Sequence, residues 1–154
     1  MSIDLNKHQN LCKDSRQKII VSRDDKEKSV GKKCEHIATN ENLSLVRHFK
    51  VDGDILLDGK KCDFLLLNDD KKDAYLIELK RSKLLDAIEQ LDSSYTEIKS
   101  ALPDYQFFFR ISHSESNTHT IKNQKIIRWR EKHGCTPDKR PIAELKSTPY
   151  KENI

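Results

Sequence analysis

The chain has 154 residues, one domain's worth, with 35% apolar and 35% charged residues and a formal charge of +4. No apolar run approaches the roughly 18 residues of a membrane span, and MSIDLNKHQN lacks the apolar core of a secretion signal, so a cytoplasmic protein with no membrane partner is expected. The four cysteines, Cys12, Cys34, Cys62 and Cys135, form no CxxC pair, which speaks against a disulfide framework or a zinc knuckle.

Residues 1–17 are polar and unpatterned and read as a flexible arm ahead of a single domain at 18–154. Lys18–Arg23 (KIIVSR) suits a first strand, and the charged DDKEKSVGKK a loop. Cys34–Thr39 (CEHIAT) alternates weakly, as an edge strand would. Leu43–Val51 alternates better and runs into the turn signal Asp52-Gly53. Ile55–Leu57 is a short apolar piece before a second turn, Asp58-Gly59. CDFLLL, from Cys62, is a continuous apolar run of the kind covered on both faces of a sheet. NDDKKD is a loop, and Ala74–Lys80 (AYLIELK) the next strand.

The period then changes. Leu84, Ile88, Leu91, Tyr95, Ile98 and Leu102 step by four and three, one face of a helix of about five turns that Pro103 ends. Tyr105–Ser112 (YQFFFRIS) is an aromatic-rich strand. Thr120–His133 suits a second helix stopped by Gly134, and Ile142–Lys146 a last strand. The order predicts an α/β chain: one mixed central sheet flanked by helices.

Two carboxylates and an ammonium interrupt the apolar runs. Residues two apart in a strand share a face, so Glu78 and Lys80 point the same way. If NDDKKD is a hairpin bend, Asp63 arrives at the same end of the sheet. Paired carboxylates suit a hard cation such as Mg²⁺, with Mn²⁺ as a substitute. Such a cation lowers the pKa of a bound water and steadies charge on a phosphodiester. A lysine two residues along can orient that water.

Asp63, Glu78-Leu79-Lys80 and a following helix with Ala87-x-x-Gln90-Leu91 resemble the PD-(D/E)xK nuclease superfamily, which has the restriction-endonuclease-like fold. The likeness spans roughly residues 46–112, with fourteen residues between Asp63 and Glu78, and Cys62 stands where the family often has proline. The resemblance implies that Asp63 and Glu78 bind Mg²⁺, that Lys80 positions the nucleophile and that Gln90 assists. IELKRSKLLDAIEQL is also similar to small bacterial proteins of defence or mobile-element loci. The expected function is Mg²⁺-dependent hydrolysis of DNA; the alternatives are an RNA-directed enzyme, or an inactive module of the same fold that binds DNA or a partner protein.

Arg81 and Lys83, after the active strand, and Arg128, Arg130 and Lys132, around Trp129, are candidate phosphate contacts. Glu35 is a candidate extra acid, and Cys34-x-His36 with His48 and Cys62 a weaker metal alternative. A domain this small has little surface for reading a sequence, so a homodimer or a separate targeting protein is expected, with contacts sought in LSLVRHFKV and YQFFFRIS.

Overall fold

The computed structural model describes residues 3–23, 34–114 and 122–154. The apolar runs become strands: β1 (Ile19–Arg23), β2 (Glu35–Thr39), β3 (Val46–Lys50), β4 (Phe64–Asn68) and β5 (Asp73–Lys80). Helix α1 (Leu84–Ile98), β6 (Gln106–His113), helix α2 (Gln124–His133), β7 (Ala143–Ser147) and β8 (Tyr150–Asn153) follow. The chain is α/β, but the expected single sheet is corrected to two. A five-stranded sheet runs β3-β4-β5-β6-β7 and a three-stranded sheet β1-β2-β8. Both are mixed: β3, β4 and β5 pair antiparallel, and β5, β6 and β7 parallel. In the smaller sheet β1–β2 is antiparallel and β2–β8 parallel.

The reason for a second sheet is coverage. On one face of the large sheet, Leu65, Leu67, Leu76, Phe107 and Phe109 pack with Leu84, Ala87 and Leu91 of α1 and with Ile126 and Trp129 of α2. On the other face, Phe64, Leu66, Tyr75, Ile77 and Phe108 pack with Ile20 and Ala38 of the small sheet. All of β4 is buried, and all of β5 up to Leu79, so both faces need an apolar cover. α1 and α2 cross between parallel strands on one side, and the small sheet supplies the cover on the other.

Several boundaries differ from expectation. β2 is the middle strand of its sheet, not an edge. Ile55–Leu57 forms no strand, only an isolated bridge between Asp52 and Leu56. α1 ends at Ile98 and tightens into a 3₁₀ turn, Lys99–Ala101, because Leu102 precedes proline and leaves the helical region. α2 starts at Gln124, after Asn123, whose side chain accepts from Lys125 N, while residues 120–121 lie outside the described residues. Of the amino-terminal segment, residues 3–17 lie against β3: Leu11 N donates to His48 O (2.6 Å), Val46 N donates to Ser15 O (2.8 Å), and Leu5 is buried. β3 therefore offers no bare edge, and β6 is paired on both sides and buried after Gln106. The strand parts of LSLVRHFKV and YQFFFRIS are thus not the contact surfaces expected of them.

Arg110, on β6, joins the two sheets. Its Nε donates to both carboxylate oxygens of Glu152 on β8 (3.1 and 3.0 Å), and its other nitrogens donate to the carbonyls of Phe109, Pro141 and Ile142. Glu152 also meets His36 Nε2 at 2.6 Å. Burial pushes the Glu152 carboxyl up, but hydrogen bonds from His36 and Arg110 outweigh it and hold it below the usual range. Replacing Arg110 by Leu strands that carboxylate, so urea unfolding of R110L is expected to show a loss of about 3 kcal/mol or more.

His48 sits between the layers, its Nε2 2.9 Å from Ser22 Oγ and its ring stacked on Phe64. Burial, with His36 nearby, pulls its pKa down to about 4. The unfolded chain therefore takes up this proton first as pH falls. The stabilisation is full above about pH 6.5 and is lost toward pH 4, worth about 3 kcal/mol in all. Urea unfolding of wild type and His48→Gln at pH 7 and pH 4.5 is expected to show a smaller pH dependence in the variant.

Candidate functional site

The hairpin of β4 and β5 sets the site. Its register pairs Asn68 with Asp73 and Phe64 with Ile77. One step beyond the last pair, Asp63 stands opposite Glu78, on the face that carries Leu65 and Leu76 toward α1. Asp63 N donates to Ile77 O (3.1 Å), and Leu79 N donates to Asp63 Oδ2 (2.8 Å), which locks the carboxylate against the end of β5. The hairpin does bring Asp63 to the same end of the sheet as Glu78 and Lys80, level with Glu78.

Glu78 is only 2% exposed, and no hydrogen-bond donor reaches its Oε1. Its Oε2 is 3.5 Å from Lys80 Nζ. Burial first, then the charge of Asp63 and a hydrogen-bonding contact with it, push the Glu78 carboxyl far above its ordinary range, more than Lys80 can offset. Two carboxyls held together in a nearly dry place form a poor environment for two negative charges and a good one for a cation that neutralises them. The unsatisfied Glu78 oxygen and the all-oxygen donor set fit Mg²⁺ or Mn²⁺. Among the described residues, no group of three or more His, Cys, Asp and Glu side chains gathers, so the acidic contribution is these two.

Lys80 Nζ donates to Gln90 Oε1 at 2.7 Å, and Gln90 Nε2 donates to the Lys61 carbonyl at 3.3 Å. The structure thus brings Asp63, Glu78, Lys80 and Gln90 together, with Gln90 spent on holding the ammonium and the segment before β4. Tyr95 belongs to the core, edge-on to Phe107 and Phe109. Arg81 and Lys83 are exposed on the turn after β5, and Lys83, at φ 57°, begins α1 without a side-chain cap. Lys60 pairs with Glu89 beside Gln90. Arg128, Arg130 and Lys132 are exposed on α2, which packs beside β7, two strands from β5; Arg130 is paired with Glu144 there.

Glu35 does not join the carboxylates. It lies on β2, its side chain beside Arg23. The four-residue metal alternative also fails to converge: Cys34 packs in the layer toward the small sheet, Cys62 in the layer toward the helices.

Sequence reasoning missed Ser94. It is fully buried on α1, one turn after Gln90, and its Oγ accepts from Cys62 N at 2.8 Å. A signal was present: Ser94 is a polar residue inside the buried stripe of Leu84, Ala87, Leu91 and Ile98.

The chain matches no family model, no curated protein and no solved structure. Among the described residues, no helix is long and apolar enough to cross a membrane.

The strain in the carboxyl pair has a measurable sign. Glu78→Gln keeps the shape, removes the acid that folding must keep protonated, and supplies an amide donor for Asp63. In the metal-free protein, thermal unfolding of this variant is expected to rise by a few degrees, about 1–2 kcal/mol. A functional carboxylate that costs stability behaves this way; a structural one would show the reverse.

Proposed function

We propose that this chain is a divalent-metal-dependent phosphodiesterase of the PD-(D/E)xK nuclease type, cutting DNA. The observation that carries the reading is the Asp63–Glu78 pair: two carboxyls on one face, one buried oxygen without a donor, and an ammonium 3.5 Å from the other. Asp63 and Glu78 would hold Mg²⁺ or Mn²⁺. The bound cation would supply a water of lowered pKa and neutralise charge on the phosphodiester. Lys80, whose ammonium donates to Gln90, would steady a hydroxide or a non-bridging phosphate oxygen beside the cation. Arg81 and Lys83 add positive charge at that end of the sheet, which favours a polyanion.

A second reading, a module of this fold that binds DNA or a partner without cutting, is favoured by the small acidic set of two side chains. Cleavage assays separate the two. Plasmid and linear DNA, with single-stranded RNA alongside, are incubated with Mg²⁺ or Mn²⁺. Metal-dependent cutting, lost in Asp63→Ala and on adding chelator, supports the enzyme. DNA retention without cutting, unaffected by chelator, supports the module.

Lys80→Ala is expected to lower the cutting rate by about 100-fold or more while metal affinity, read by calorimetry, changes little, because the lysine serves the water and phosphate rather than the cation. Undiminished cutting by K80A would remove Lys80 from the mechanism. Sequence choice is proposed to come from a second copy or a separate targeting protein, since specific DNA interfaces bury roughly 1,000 Å² or more of protein. A sedimenting monomer that cuts one defined sequence unaided contradicts that part.

A further inference from the structure

The main chain at Lys61 and Cys62 lies just before β4, outside the ladder hydrogen bonds that fix Phe64–Asn68. α1 holds it instead, at two points one helical turn apart. Gln90 Nε2 donates to Lys61 O (3.3 Å), and Ser94 Oγ accepts from Cys62 N (2.8 Å). Cys62 and Ser94 are both fully buried, so no solvent stands ready to replace that hydroxyl. The next residue is Asp63, whose carboxylate must sit level with Glu78 for the two to share one cation. Its other ties run to β5, through Ile77 O and Leu79 N, and to Val51 N, which donates to Asp63 O (2.9 Å). α1 thus holds the Lys61–Cys62 peptide from both of its polar groups, and β5 holds the next peptide, through Asp63 N, and the Asp63 carboxylate.

We infer that Ser94 is a positioning residue for Asp63: its hydroxyl, through Cys62 N, sets the separation of the Asp63 and Glu78 carboxylates and so the affinity of the site for a divalent, oxygen-preferring cation. The inference rests on the metal reading of that pair. Without the hydroxyl, a buried N–H loses its acceptor, and the peptide turns to find another. Asp63 Cα is bonded to that peptide's neighbour, so the turn displaces the carboxylate. Loss of a group that orients a metal ligand typically lowers affinity by about 10- to 100-fold.

The test is calorimetric titration of Mn²⁺ into the full chain, with unfolding followed in parallel. Wild type is compared with Ser94→Ala, Ser94→Cys and Ser22→Ala. Ser94→Cys keeps the volume and offers a weaker acceptor, which covers the case in which S94A fails to fold. Ser22→Ala removes a hydroxyl equally buried but bonded to His48 between the sheets, so it reports destabilisation alone. The expected order of affinity is wild type, then S94C, then S94A, with S94A weaker by about tenfold or more and S22A within about twofold of wild type. Folded S94A or S94C with wild-type affinity overturns the role of Ser94 while leaving the metal site standing. An equal loss in S22A overturns it too, because the effect would then be general loosening. A wild type that takes up no Mn²⁺ overturns the metal reading and this inference together.

Discussion

Burial of β4 and β5 on both faces is the constraint from which the rest of the molecule follows. A strand pair covered twice needs an apolar layer above and below, and this chain supplies two different ones, helices on one side and a small sheet on the other. Once those layers are in place, any polar side chain along the pair must find a partner or carry a cost. Asp73 finds Arg140, and Arg110, next door on β6, finds Glu152. Glu78 finds only a partial partner in Lys80 and a like-charged neighbour in Asp63. A buried carboxyl facing a like-charged neighbour is what singles out the end of β5 as a candidate site.

Much of this was legible because the signals are local. CDFLLL and AYLIELK are too apolar and too short for anything but covered strands, and the stepping of Leu84, Leu91 and Ile98 identifies the helix that covers them. Glu78 and Lys80 share a face by strand alternation alone, and Asp63 is brought beside them by a hairpin whose bend is plain in NDDKKD. What was not legible depends on distant parts of the chain. β8 reads YKEN, with no apolar rhythm; it is a strand because it pairs with β2, more than a hundred residues away, and because Glu152 reaches Arg110 and His36. The division into two sheets likewise follows from how many layers the core needs, which no single segment states. Ser94 stands out in the sequence only as a polar residue within the buried stripe of α1; what it does there depends on Cys62 N, which lies 32 residues back along the chain.

The helix that covers this end of the sheet also holds the chain that leads into it. α1 contributes Leu84, Ala87 and Leu91 to the core, and on the same buried side it presents Gln90 and Ser94 to the start of β4 and the end of β5. Packing and positioning are therefore not separable here: the apolar residues bring the helix to a fixed depth, and that depth decides where two polar atoms end up. Lys83, left-handed at the start of the helix and following Lys80 by three residues, makes the link short. Little slack lies between the end of β5 and the first turn of α1.

The turn between β4 and β5 has a consequence for how such a chain can change over generations. Asp63 and Glu78 meet because residues 69–72 close the hairpin with Asn68 opposite Asp73. Of these four residues, Lys71 is exposed and can drift in identity, whereas Asp69 accepts from Arg47 and from the Tyr105 hydroxyl, Asp70 accepts from Leu45 N, and Lys72 holds a φ of 56°. The four are not free to drift in number. A single inserted or deleted codon would shift the pairing by one and turn either the apolar residues or the carboxylates to the wrong face. Even a change of two, which preserves the faces, would set Asp63 opposite a neighbour other than Glu78. Descendants of this gene that keep the acidic pair are therefore expected to conserve the length of this bend, and to vary its spelling least at Asp69, which Arg47 and Tyr105 both hold.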